Sequence, residues 1–147
     1  MAWSLDDRLR IPYNAGVLAF IAREQPSAHD DVATALIDAA KGLPNARRYC
    51  PDPPAYAYVA LHTAAWRMFG LAIGMSTVAF RLPSDLEQEA TTDGGTPLPD
   101  PGPGWFAFQP WDVALPKSAT DERVRRWCRA AYEAADASRR RVSQECR

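Results

Sequence analysis

Apolar positions along this chain change spacing from segment to segment, and each spacing names an element. Between Asp30 and Leu43, the residues Val32, Ala35, Leu36, Ala39, Ala40 and Leu43 recur three and four apart, the pattern of one buried helix face. Ser27 stands where an N-cap belongs, and Asp30 and Asp31 fall in the first turn, where the positive end of the macrodipole favours acids. Gly42 and Pro44 close the helix. Upstream, Ser4 with Asp7 resembles a capping arrangement for a short helix over residues 5–10 that Pro12 ends. Asn14 is placed to cap a second helix over residues 15–25, with Val17, Leu18 and Ile21 on one side and Pro26 as its stop.

After the proline-broken connection "NARRYCPDPPAY" the period falls to two. "AYAYVAL" alternates Tyr56, Tyr58 and Ala60 against Ala57, Val59 and Leu61, and "RMFGLAI" and "TVAFRL" read as two further strands joined through Gly74, Met75 and Ser76. A helix from Thr63 to Ile73 competes, because Ala65, Met68, Phe69 and Ala72 fit a helical stripe; Gly70 and Gly74 favour strands. Ser84 and Glu87 form an S-x-x-E signature opening a short helix to about Ala90. Residues 93–104, "DGGTPLPDPGPG", hold four glycines and four prolines and are expected to be a mobile loop. "WFAF" then makes a fourth strand, sending Trp105 and Ala107 to one face and Phe106 and Phe108 to the other. The last element is a long helix with Val124, Trp127, Cys128, Ala131, Tyr132 and Ala135 on its apolar face, fraying into a basic tail over residues 140–147.

The expected fold is therefore a single α+β domain over residues 1–147. A small, mainly antiparallel four-stranded sheet packs against helices centred near Ala35 and Ala130, with an N-terminal helical extension, residues 1–26, at an edge or end. A chain of 147 residues with 47% hydrophobic and 24% charged residues buries enough surface to fold without disulfide or metal. Cys50, Cys128 and Cys146 lie far apart and form no CxxC, so neither a zinc site nor a redox pair is suggested, and a reducing, cytoplasmic location is expected. Asp6 and Asp7 stand where a signal peptide needs positive charge, and the longest uncharged apolar stretch, Met68 to Phe80, is shorter than a membrane span.

Charge is unevenly distributed. Net charge is −1, yet residues 82–122 carry Lys117 against eight acids, and residues 123–147 carry eight arginines against three acids. Arg123, Arg125, Arg126 and Arg129, followed by Arg139 to Arg141, are candidates for a nucleic-acid or anion-binding ridge; a pI of about 6.1 and the acidic middle oppose it. The bland reading is that arginines complement the negative helix end and that Asp85, Glu87, Glu89 and Asp93 form a solvated face.

Catalytic signatures are few. His29 and His62 are the two histidines, neither in HExxH nor at ligand spacing from a cysteine, and no G-x-S-x-G, Walker or strand-linked G-x-G-x-x-G motif occurs, so no catalytic residue, metal or cofactor is expected. His62 reads best as a strand-end histidine bonded to backbone. The competing functional reading is a pocket using His62 and Trp105 under the 93–104 loop, in a small enzyme or small-molecule-binding protein.

The strings Leu43-Pro44, "RMFGLA" (67–72), "VAFRLPSDL" (78–86), "GWFAF" (104–108) and "WCRAAYEAA" (127–135), in this order, resemble the YjbR family of small bacterial α+β proteins and the related TfoX N-terminal domain over roughly residues 30–139. Gly70 is followed by Leu71 where TfoX-like domains commonly show a second glycine. The resemblance implies an α+β fold, a binding role toward nucleic acid or protein, and no catalytic residues to carry over. The expected function is thus a cytoplasmic, non-enzymatic binding or regulatory module, partnered by protein or nucleic acid, free of membrane, and open to homodimer formation through its N-terminal helices or a strand edge.

Overall fold

Gly74, at φ +65°, is the pivot of the sheet: it turns β3 (Met68–Ile73) back on itself as β4 (Thr77–Arg81), pairing Ile73 with Thr77 and Gly70 with Phe80. The computed structural model describes residues 7–24, 27–49, 59–109 and 117–145. Ser4, Tyr56, Tyr58, Cys50 and Cys146, used in the sequence reading, lie outside them.

The sheet has six strands, not four, in the order β1-β2-β3-β4-β6-β5, all antiparallel. β2 is Val59–His62 and β6 is Trp105–Phe108. The two additions are β1 (Arg47–Tyr49), inside the segment read as a connection, and β5 (Thr96–Pro97), inside the 93–104 loop. Neither has an alternating apolar pattern; each forms because β2 or β6 offers it an open row of backbone groups.

Strict alternation would put Phe69 and Leu71 on one face. A bulge separates them: Leu61 pairs with Gly70 but His62 with Met68, leaving Phe69 as the extra residue. Phe69 and Ala72 thereby join one core while Met68 and Leu71 join the other.

Both faces of the sheet are covered, giving three layers. On one face α2 (Asp30–Ala39) and α4 (Lys117–Glu145) bring Val32, Leu36, Val124, Trp127, Cys128 and Ala131 against Phe69, Phe80, Phe106 and Phe108. On the other, α1 (Ala15–Glu24) and the turn before it bring Leu9, Val17, Phe20 and Ile21 against Met68, Leu71, Ala79 and Trp105. The amino-terminal elements are therefore not an addition at an edge or end. β4 and β6 carry apolar side chains on both faces, and burying a large one stabilises by about 1.5–3 kcal/mol, so an uncovered second face would forfeit several such contributions.

Several ends differ from their sequence signals. The first helix is one 3-10 turn, Asp7–Leu9, and a second, Pro12–Asn14, leads into α1. Asn14 does not cap: wholly buried, its Nδ2 donates to the carbonyls of Leu9 and Trp66, both at 2.7 Å, and its Oδ1 accepts from the Met68 N–H at 2.8 Å. That amide ties the N-terminal turn to the start of β3, satisfying backbone groups of Leu9, Trp66 and Met68. α2 is capped by His29, whose Nδ1 accepts from the Asp31 N–H at 3.1 Å; the backbone of Ser27 is occupied instead by Gly74, whose N–H it accepts at 2.5 Å. Pro83 and Leu86, without polar side chains, precede the 3-10 turn Ser84–Leu86 and α3 (Glu87–Thr92), so the S-x-x-E pair does not act as a capping box there. α4 continues through residues 140–145, because "SRRRVSQE" holds no glycine or proline to end it.

The 93–104 loop is pinned rather than loose. Leu98 donates its N–H to the Trp105 carbonyl at 2.8 Å, Pro101 is buried, and the Pro101 carbonyl sits so close over Gly16 of α1 that no Cβ fits there.

Candidate functional site

The four candidate arginines of α4, Arg123, Arg125, Arg126 and Arg129, split into two pairs. Arg123 places Nε 3.4 Å from Asp93 Oδ1, and Arg126 places Nη2 3.2 Å from Glu89 Oε2 while its guanidinium lies 4.7 Å from the centre of the Trp127 ring. Trp127 itself donates Nε1–H to Asp93 Oδ2 at 2.7 Å and stacks on Phe108 at 5.6 Å. The acids read as a solvated face are thus, at Glu89 and Asp93, the intramolecular partners of the basic helix. Arg125 and Arg129, one turn apart, are exposed and carry no ion pair among the described residues.

Arg125 belongs to a second feature. A groove of about 980 Å³ runs between α2 and α4 and ends at the β3–β4 turn. Its floor is Val32, Ala35, Ala39 and Val124, and its rim is Asp31, Asp38, Lys41, Asp121 and Arg125. Lys41 Nζ is 3.0 Å from Asp38 Oδ1. Met75, 75% exposed, closes one end, where the backbone bonds Gly74 N–H to Ser27 and His29 N–H to Gly74 (2.8 Å) lock the turn onto the α2 entry. The groove thus combines an apolar floor with a rim of both charge signs.

His62 and Trp105 are not brought together: β3 and β4 separate their strands. His62 is buried, with Nδ1 2.9 Å from the Thr63 carbonyl and its ring stacked on Trp66 at 4.6 Å. Backbone contact is what a strand-end histidine was expected to make. Trp105 is 2% exposed, within the core under α1. Arg8 in turn lies 4.1 Å from the Trp66 ring centre, and Trp66 holds φ +67°, a strained backbone for so bulky a residue, maintained by the Thr63 turn (Trp66 N–H to Thr63 O, 2.9 Å).

Three residues that the sequence did not single out converge elsewhere. Arg81, at the end of β4, donates Nη1–H to the Tyr13 carbonyl at 2.6 Å and lies 3.9 Å from the Tyr13 ring centre; Arg67 lies 5.6 Å from the same ring. Burial raises the Tyr13 pKa above 10.0, while both guanidinium charges pull it down. Their spacing in sequence is uninformative, since β3–β4 pairing and the packing of the N-terminal turn create the cluster.

Cys128 is a free, wholly buried thiol whose pKa burial pushes up to about 12, so it is not an activated nucleophile. Among the described residues no group of three His, Cys, Asp or Glu is placed to hold a metal ion, and no helix is long and apolar enough to cross a membrane. No protein family, curated protein or solved structure matches the chain, so the YjbR and TfoX resemblance is carried by the quoted strings alone.

Proposed function

We propose that this protein acts by binding, as a module that receives a polypeptide segment in the α2–α4 groove. The observation that carries this reading is the juxtaposition of an apolar floor, Val32, Ala35, Ala39 and Val124, with the exposed side chain of Met75 and a rim of both charge signs. Methionine adapts its shape to differing apolar partners, and a mixed rim fixes register without demanding a polyanion. The YjbR resemblance implies the same class of role.

A displayed random-peptide library tests it. Peptides enriched on the wild type should bind Ala35→Arg, which fills the groove with charge, at least tenfold more weakly, and Arg48→Gln, on β1, equally well. Enrichment that Ala35→Arg leaves unchanged, or no enrichment at all, overturns the reading.

Nucleic acid is the second reading, favoured by the two cations, Arg125 and Arg129, that pair with no acid among the described residues. Two phosphate contacts give log K a slope against log salt of only about −2 on duplex DNA. A measured slope near that value, lost in Arg125→Gln/Arg129→Gln, supports it; binding indifferent to salt or to those changes removes it.

A further inference from the structure

Two side-chain nitrogens of Arg67, Nε and Nη1, are buried without a hydrogen-bond partner among the described residues. A guanidinium remains charged at every physiological pH, so buried donors left unmade are a persistent liability. Among the described residues no carboxylate pairs with Arg67 or with Arg81, although both guanidiniums lie against the one Tyr13 ring. The ring quadrupole offsets a part of two converging positive charges and cannot supply a hydrogen-bond acceptor. By contrast, the partly buried cation Arg123 has its acid, Asp93, at 3.4 Å.

Two members of the cluster, Tyr13 and Arg81, have an approach, and Arg67 is not itself part of its lining. A groove of about 670 Å³ ends at Tyr13 and Arg81 and runs past Pro83, Ser84 and Gly104 toward Glu133 of α4. The Tyr13 hydroxyl is protonated at neutral pH, as a phenol ordinarily is, and burial raises its pKa further, so it can donate. Asp85, Glu87 and Glu133 on the other walls repel an anion from the far end, confining negative charge to the arginine end.

We propose that Arg67, Arg81 and Tyr13 form a binding site for a small oxyanion, a phosphate or carboxylate group, entering along this groove with Arg81 as the direct contact and Arg67 completing the positive field. The far walls suit a ligand whose distal end is neutral or cationic. This site shares no lining residue with the α2–α4 groove, so the two readings fail separately.

The test is a titration of the full chain with sodium phosphate and, separately, sodium acetate, each against sodium chloride at matched ionic strength, read by thermal unfolding and calorimetry. At least one oxyanion should raise Tm saturably where chloride does not; phosphate alone doing so identifies a phosphate ligand, and acetate doing so identifies a carboxylate. Arg81→Gln and Arg67→Gln should each weaken that binding at least tenfold, and Arg23→Gln, on α1, should not. Arg67→Gln should also raise the Tm of the anion-free protein, since it removes a partly buried charge with no acid beside it among the described residues; an arginine of purely structural value would lower it. Equal responses to chloride and both oxyanions, or an oxyanion response that Arg67→Gln leaves intact, overturn the proposal, and neither outcome depends on whether Arg81→Gln folds.

Discussion

Trp127 donates its indole N–H to Asp93 across 2.7 Å, and the same carboxylate lies 3.4 Å from Arg123. One acid thereby fastens the end of α3 to the basic helix and orients the indole that stacks on Phe108. Charges that are segregated in the chain, acidic in the middle and basic at the end, meet in space.

Replacing Asp93 by alanine leaves a buried indole N–H and a half-buried guanidinium without partners. A loss of about 2–3 kcal/mol in urea unfolding is expected, with a coupling of about 0.5–1 kcal/mol to Arg123→Ala in a double-mutant cycle.

Trp105→Ala removes a ring that is 2% exposed between α1 and the sheet, and should cost about 3–5 kcal/mol. Little loss on denaturant unfolding would instead mark a surface platform.

In an exposed helix, Gly→Ala ordinarily stabilises by up to about 1 kcal/mol. At Gly16 the sign should reverse, because the new methyl would collide with the Pro101 carbonyl and lift the 93–104 loop off α1. Thermal melts, with proteolysis inside residues 93–104 as a second readout, distinguish the two outcomes.

Alkaline stability follows from Cys128. Its thiol titrates near 9.0 when unfolded but is held neutral to about 12 in the fold, so the native state binds more protons than the unfolded state between those values. Stability should be intact below pH 9 and fall above it by up to about 1.4 kcal/mol per pH unit, with Tyr13, also raised, adding to the decline from pH 10.0. Cys128→Ala should flatten the part that begins at pH 9.

The apolar faces of α2 and α4 and the opposed sides of "WFAF" were legible because burial writes itself as period, and the core holds Val32, Leu36, Val124, Trp127, Phe106 and Phe108 as that period required. The competing helical stripe at Met68, Phe69 and Ala72 was the trace of the Phe69 bulge, which shifts the alternation by one residue. β1 and β5 were illegible, since a strand two or three residues long is made by its neighbour's open edge. Site residues were harder. Sequence pointed to Arg123, Arg125, Arg126 and Arg129 but could not show that Arg123 and Arg126 would be met by Asp93 and Glu89, residues 30 or more positions upstream. The Tyr13–Arg67–Arg81 cluster depends on the N-terminal turn docking at the end of β3 through Asn14, a contact spanning 54 residues that no local pattern encodes.

The six-stranded order ends in a three-residue strand bearing exposed Arg47 and Arg48 on one side and a two-residue strand containing Pro97 on the other. Cation repulsion guards the first margin, and at the second a missing amide hydrogen interrupts any ladder. Copies of this protein are thus discouraged from zipping margin to margin into a continuous ribbon.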